Sequence, residues 1–170
     1  MRSISLAGLC LLLVACDPSP PAPGSLTLLV AGGTIIDGTG SEGIVGDVGM
    51  IGDRIAWVGE SGQAVAPDTI DATGLVVAPG FIDVHSHTSP QIAQEEFKLN
   101  EGVVRQGVTT VIGGPDGYFT PDVLRRLIAA HDSLGIGTNV GYYVGHNGIR
   151  GEVMGDDQQR APTDDELAVM

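Results

Sequence analysis

One short run, PGFIDVHSH at residues 79–87, constrains the fold of this chain more than any other stretch. It is rich in β-forming residues and is entered through a Pro-Gly pair, which predicts a strand over residues 81–87. Side chains alternate between the two faces of a strand, so Asp83, His85 and His87 are expected on one face. Ionisable groups on a core strand are costly unless they have partners, and this face therefore needs one.

A divalent metal ion is the partner that this spacing favours. Residues two apart on a strand are about 6.6 Å apart at the backbone, which allows two imidazoles to reach one ion at about 2.0–2.1 Å. We interpret His85 and His87 as metal ligands and expect Asp83 to orient one of the imidazoles. The alternative is that both histidines are ordinary core or loop residues.

The chain that follows alternates between helical and strand patterns. We predict a helix over residues 91–106, a strand over 108–112, a helix from Thr120 to Gly135 and a strand over 139–144. This alternation is typical of a parallel α/β fold, in which the chemistry lies at the carboxyl ends of the strands. A capping box at residues 163–166 starts one more helix. We expect His131, in the last turn of the second predicted helix, to make only a favourable helix-end charge interaction.

Upstream, short β-like runs between residues 26 and 77 predict a small lobe of strands, with a hairpin at Gly52-Asp53-Arg54. Residues 38–43, GTGSEG, also match the dinucleotide fingerprint G-x-G-x-x-G. That fingerprint requires a helix directly after it, whereas residues 44–51 carry glycines and alternating residues. We interpret residues 38–43 as a glycine-rich turn.

The run at residues 79–87 resembles the first barrel strand of the amidohydrolase superfamily, in which both histidines bind metal at the mouth of a (β/α)8 barrel. Residues 32–40, 106–111 and 160–167 are similar to the N-acyl-D-amino-acid deacylase (D-aminoacylase) branch. The resemblance implies an α/β fold, with a small β-sandwich lobe over residues 26–78. The first three β/α units of a metal-dependent (β/α)8 barrel would follow over residues 79–170.

The same resemblance implies an activity. It indicates hydrolysis of the amide bond of N-acyl-D-amino acids by metal-activated water, with one or two Zn ions. It also implies an aspartate that acts as general acid and base on the last barrel strand, and we expect this aspartate beyond Met170. A complete barrel typically takes about 250 residues. We therefore expect this chain of 170 residues to be the N-terminal fragment of a longer enzyme, cut within a newly started helix, and to be inactive by itself.

Two further strand ends carry candidate site residues. Asp116 stands where the resembled branch has a zinc-binding cysteine, which makes it a candidate third ligand, although Pro-Asp-Gly is also ordinary turn chemistry. His146 and Arg150 resemble a segment near the substrate pocket of that branch. His146 could polarise a carbonyl or bind metal, and Arg150 could pair with a substrate carboxylate. A surface loop and a structural ion pair are the alternatives.

The beginning of the chain predicts export. Arg2 precedes an apolar run that closes on Leu-Val-Ala-Cys, which resembles a bacterial lipobox ending at Cys16. Residues 1–15 are then a signal peptide, Cys16 is the lipidation site and the Pro-rich residues 16–25 are a tether. We expect an exported protein of the cell envelope or periplasm, anchored to a membrane by lipid. A plain secretory signal is the alternative.

The formal net charge of −13 argues against nucleic acid or anionic lipid as a charged partner. The expected partner is a small acylated amino acid. Two rival functions stay open: a non-catalytic anchored lipoprotein, and another hydrolase of the same superfamily that acts on cyclic imides or dipeptides.

Overall fold

A computed structural model describes residue 22 and residues 24–170 of the chain. The predicted signal peptide, the lipidation site Cys16 and most of the tether lie outside these described residues. The described chain divides into two compact units, with the boundary between Pro79 and Gly80. Among the described residues, no helix combines the length and the apolar character needed to cross a membrane.

The first unit is built on one mixed sheet of five strands: β1 (Leu28–Ile35), β2 (Ile44–Ile51), β3 (Arg54–Glu60), β4 (Asp68–Asp71) and β5 (Val76–Val77). Strands β1, β2 and β3 form an antiparallel meander, while β4 and β5 each pair in parallel with β1. Leu26, Leu29, Trp57 and Ala64 form the buried cluster of this unit. The described residues thus supply one sheet of the predicted sandwich, and its second layer stays a prediction.

The turn chemistry of the first unit follows the sequence. Ile51 pairs with Arg54, which leaves Gly52 and Asp53 as the two-residue loop of the predicted hairpin. Gly52 has a φ of 59°, a conformation that glycine adopts without the usual steric cost. Residues 38–43 form an exposed bend that leads into strand β2. The prediction of a glycine-rich turn without a dinucleotide site is therefore favoured.

A buried carboxylate ties this sheet together. Asp47 is only 1% exposed and accepts hydrogen bonds from the backbone N–H groups of Gly32 and Gly62, at 2.7 and 2.9 Å. Gly32 lies where the register of β1 against β2 shifts, between Val30 and Gly33. Asp47 thereby satisfies an amide that the irregular ladder leaves without a strand partner.

The second unit alternates strands and helices: β6 (Phe81–Ser86), α1 (Glu101–Val104), β7 (Val108–Gly113), α2 (Pro121–Leu134), β8 (Asn139–Tyr142), α3 (His146–Met154) and α4 (Asp164–Val169). The three strands are parallel and lie in the order β6-β7-β8. This confirms the α/β fold. Pro121 opens α2 and Gly135 closes it with a φ of 68°, both as predicted.

The last helix of the described chain, α4, begins at a formed cap. The predicted capping box of Thr163 and Glu166 is present at its start. Met170 is its C-cap, and the backbone N–H of Met170 bonds to the carbonyl of Glu166 at 3.1 Å. That the chain is cut within this helix stays a prediction.

One local prediction for this unit is wrong. Only Glu101–Val104 of the predicted helix over residues 91–106 is α-helical, because Asn100 has a left-handed backbone with a φ of 48° that a helix cannot include. Thr120 stands at the N-cap of α2, yet its buried hydroxyl has no hydrogen-bond partner among the described residues. Ile82 and Val84, on the other face of β6, are 63% and 60% exposed, since no described element of this unit covers them.

Candidate metal centre

The carboxyl ends of β6 and β7 bring three possible ligands together. His85 and His87 lie at the end of β6, and Asp116 lies in the loop after β7. Parallel neighbouring strands end at the same edge of a sheet, so residues distant in sequence meet there. One ligand atom from each of the three side chains lies within 4.8 Å of the other two. The structure therefore assembles the two predicted histidines with the predicted carboxylate.

The spacing of these atoms fits a shared cation. Oδ1 of Asp116 lies 3.8 Å from Nε2 of His85, and Oδ2 lies 3.7 Å from Nε2 of His87. Both distances exceed those of ordinary hydrogen bonds, about 2.7–3.2 Å. Tetrahedral coordination with bonds of about 2.0–2.2 Å separates ligand atoms by roughly 3.3–3.6 Å. All three side chains are exposed, so an ion can reach them from solvent. Two imidazoles and a carboxylate suit Zn²⁺ and also harder ions such as Mn²⁺.

Asp116 is at once a turn residue and a candidate ligand. The loop is a tight reversal in which the N–H of Gly117 bonds to the carbonyl of Gly114 at 3.2 Å, and both glycines have positive φ. The side chain of Asn147 donates to the backbone carbonyl of Asp116 at 3.1 Å, which leaves the carboxylate free for the imidazoles. The turn is thus the means by which the carboxylate is presented.

Strand β6 carries one extra residue at its histidine-bearing end. Asp83 pairs with Val111 and Ser86 pairs with Gly113, so three steps along β6 match two along β7. Such an irregularity locally redirects side chains. Oδ1 of Asp83 accepts the backbone N–H of His85 at 3.0 Å. The Asp83 carboxylate thus binds the backbone inside the irregular segment, and its role in orienting an imidazole stays a prediction.

His146 and Arg150 lie outside this group of three. His146 is the exposed first residue of α3, and the start of this helix is docked on the loop of Asp116 through the N–H of Gly148, which bonds to the carbonyl of Gly117 at 2.9 Å. The guanidinium of Arg150 donates to the backbone carbonyl of Gln158 at 2.9 Å. Arg150 thus has a structural contact, and the substrate-binding roles of both residues stay predictions.

The general acid and base is a further role that stays a prediction. The aspartate implied for it is expected beyond Met170 and so lies outside the described residues. Among the described residues, the group of three contains one carboxylate, that of Asp116, and its two oxygens face the two imidazoles.

A cavity of about 220 Å³ adjoins the candidate ligands. It is lined by Ser86, His87, Ser89, Pro90, Gly114, Pro115, Asp116, Tyr118 and Phe119. Its proline and aromatic walls stand directly beside two of the ligands. An apolar substituent of a ligand held at the metal centre fits such a wall.

Sequence reasoning missed two buried polar networks behind the site. In the first, the amide of Asn100 donates to the hydroxyls of Thr88 and Thr138 at 3.3 and 3.2 Å, and Thr88 lies 3.0 Å from the hydroxyl of Ser86. In the second, both ring nitrogens of His131 are bonded, whereas only a helix-end charge interaction was expected. The sequence did hold one signal that His131 is buried. It follows the buried Leu124 by two helical turns and so lies on the same face of α2.

Known families and curated proteins include matches to this chain. A model described as "Amidohydrolase family" matches residues 68–165. D-aminoacylase of Alcaligenes xylosoxydans xylosoxydans is 38% identical over 172 aligned positions, which cover 84% of this chain and 34% of that protein. The chain therefore spans about one third of the length of this relative.

Solved structures agree with the fold. N-acyl-D-glutamate deacylase from Bordetella bronchiseptica, complexed with zinc and a phosphonate inhibitor that mimics the tetrahedral intermediate, matches with a TM-score of 0.72 and 33% identity. A D-aminoacylase structure that concerns its binuclear metal centre matches with a TM-score of 0.70 and 32% identity. Each match covers 85% of this chain and 34% of the other.

Proposed function

Because the chain belongs to the amidohydrolase family, we propose that it supplies part of a metal-dependent site that hydrolyses a non-peptide amide bond. The observation that carries the proposal is that His85, His87 and Asp116 bring one ligand atom each to within 4.8 Å of one another. Its relatives include a D-aminoacylase and an N-acyl-D-glutamate deacylase, which supports N-acyl-D-amino acids as the substrate class. Since the chain spans 34% of their length, we expect turnover from a longer form and none from these residues alone.

In this proposal the three side chains hold one cation together. The imidazoles of His85 and His87 and the carboxylate of Asp116 would hold Zn²⁺ or a similar cation. When bound, such a cation supplies Lewis acidity, which lowers the pKa of a coordinated water and polarises a carbonyl. The carboxylate offsets part of the cation's charge and faces both imidazoles. The cavity wall of Pro90, Pro115 and Phe119 offers an apolar surface for the acyl group.

Metal binding is tested by adding Mn²⁺ to the ¹⁵N-labelled chain, because paramagnetic broadening reports even weak binding. We expect broadening centred on residues 85–87 and 114–117. The double variant His85→Asn/His87→Asn should abolish it, while Asp53→Asn, which alters an exposed carboxylate of the hairpin, should leave it intact. Broadening spread evenly over the acidic surface, or none at all, would contradict the proposal.

Substrate class is tested with any longer product of the same gene. The reading frame past Met170 is examined first, and that product is then assayed on N-acetyl-D-amino acids, their L enantiomers, cyclic imides and dipeptides. We expect hydrolysis of the acylated D-amino acids. Preference for cyclic imides or dipeptides would support the rival hydrolase, and a metal-free product without turnover would support the non-catalytic lipoprotein.

We also propose that the protein is exported and lipid-anchored through Cys16, on the strength of the lipobox resemblance alone. Labelling with radioactive palmitate in a bacterial host should mark the wild type and Cys10→Ser but not Cys16→Ser. Labelling of Cys16→Ser would contradict the anchor.

A further inference from the structure

His131 makes two hydrogen bonds that connect three segments of the second unit. The side chain is 5% exposed and lies in the last turn of α2. Its Nε2 lies 3.0 Å from the backbone carbonyl oxygen of Ser89, and its Nδ1 lies 3.2 Å from the hydroxyl of Tyr142 on β8. The two rings are stacked within 7° of parallel.

These partners dictate the tautomer of the imidazole. A carbonyl oxygen can only accept, so Nε2 carries the proton and donates to Ser89. In the neutral ring Nδ1 is then an acceptor, and the hydroxyl of Tyr142 must donate to it. Burial raises the pKa of the Tyr142 phenol, which favours the protonated donor. Each hydrogen bond thus reinforces the other.

Ser89 lies between the two strand ends that carry the candidate ligands. It follows His87 by two residues and is fully buried. A Cβ at Gly113 would overlap the hydroxyl of Ser89 and would lie 2.9 Å from its Cβ. Ser89 therefore packs directly on the last residue of β7, immediately before the loop of Asp116. The position of Ser89 couples the end of β6 to the start of that loop.

We propose that His131 is a positioning residue for the metal centre. By donating from Nε2 to Ser89, it holds the segment after His87 against the end of β7 and so sets the distance between His87 and Asp116. Metal binding at these side chains rests on the proposed function, whereas their positioning by His131 does not.

The test compares three variants of the ¹⁵N-labelled chain. His131→Leu removes both hydrogen bonds, His131→Gln keeps an N–H donor near the position of Nε2, and Tyr142→Phe removes only the partner of Nδ1. Asp132→Asn, at the exposed neighbouring position on α2, is the matched control. The measurements are the ring ¹⁵N shifts of His131, the amide shifts of His87 and Asp116 without metal, the Kd for Zn²⁺ and the Tm.

We expect an unprotonated Nδ1 in the wild type. His131→Leu should displace the amide shifts of His87 and Asp116 and weaken Zn²⁺ binding by about 10–100-fold, the range found when partners of metal ligands are removed. His131→Gln should restore both to near the wild type even where its Tm stays lowered.

Three results would overturn the proposal: a protonated Nδ1 in the wild type, unchanged amide shifts in His131→Leu, or affinity in His131→Gln as weak as in His131→Leu. If His131→Leu does not fold, the tautomer of the wild type and the two remaining variants test the proposal. A larger displacement of the His87 and Asp116 amide shifts in Tyr142→Phe than in His131→Gln would show that the bond to Ser89 is unimportant and would overturn the proposal. A wild type that binds no Zn²⁺ contradicts the proposed function alone, because the metal-free shifts still decide the positioning.

Discussion

Nε2 of His87 and Oδ2 of Asp116 lie 3.7 Å apart, although they belong to the ends of different strands. The separation is too long for a hydrogen bond and close to that of two ligands on one ion. A centre that depends on this relationship must respond to a change of charge at Asp116.

Asp116→Asn keeps the shape of the side chain and removes its negative charge. We expect Zn²⁺ affinity to fall at least tenfold, about 1.4 kcal/mol, by calorimetric titration. Asp53→Asn should leave the affinity unchanged. Equal affinities of Asp116→Asn and the wild type would leave Asp116 with its turn role only.

Packing between Ser89 and Gly113 gives a second prediction. Gly113→Ala should lower the free energy of unfolding by about 1–3 kcal/mol, because the new methyl group meets Ser89 and lies 3.0 Å from the ring of Tyr142. Adding Ser89→Gly should recover part of this loss in a double-mutant cycle measured by urea unfolding.

Gly102 provides the matched control for that cycle. A Cβ at this position in α1 meets no heavy atom within 4 Å. Gly102→Ala should therefore be neutral or stabilise by up to about 1 kcal/mol, as alanine does in a helix. Additive effects of Gly113→Ala and Ser89→Gly would show that the two residues do not press on each other.

Asp47→Ala should destabilise the first unit by about 2–3 kcal/mol. The change leaves the buried N–H groups of Gly32 and Gly62 without their acceptor, and each such loss is costly. Asp68→Ala, at an exposed position of the same sheet, should change stability by less than about 0.5 kcal/mol. Similar Tm values for the two variants would contradict the structural role of Asp47.

Glu166 makes the start of α4 sensitive to acid. Paired nitrogens of Arg160 donate to both its oxygens, and this holds its pKa down, from 4.5 to about 2. Because the folded pKa lies below the unfolded one, the stabilisation is complete above about pH 4.5 and is lost as the pH falls towards 2. Protection factors of the amides of residues 164–169, which compare exchange with its intrinsic rate at each pH, should fall over this range in the wild type. In Glu166→Gln the protection factors should already be low at neutral pH and lack this acid transition, and the same profile in both proteins would contradict the role of Glu166.

The strands and turns that local chemistry determines were predictable. The pattern at residues 79–87 identifies β6, Pro121 and Gly135 delimit α2, and Thr163 with Glu166 caps α4. The apolar positions of residues 91–106 predicted a long helix, but only α1 forms there. The start of α1 is decided by the left-handed Asn100, whose side chain is held by contacts with Thr88 and with Thr138, far along the chain.

The candidate site also has some features that the sequence predicts and others that it does not. His85 and His87 are evident from their spacing, and Asp116 from its place after a strand. The role of His131 depends on partners from other segments, Ser89 and Tyr142. Spacing along one segment carries no information about such partners.

The extra residue in β6 between Asp83 and Ser86 limits how the His-x-His motif can be transplanted. A protein engineer who grafts the two histidines onto a regular parallel strand would copy their spacing but not the direction in which they leave the sheet. Deleting one residue from this segment would likewise make the ladder regular after Asp83 and turn the following side chains to the opposite face. The portable unit is therefore the histidine pair together with the irregular segment and the carboxylate of Asp83 that holds it.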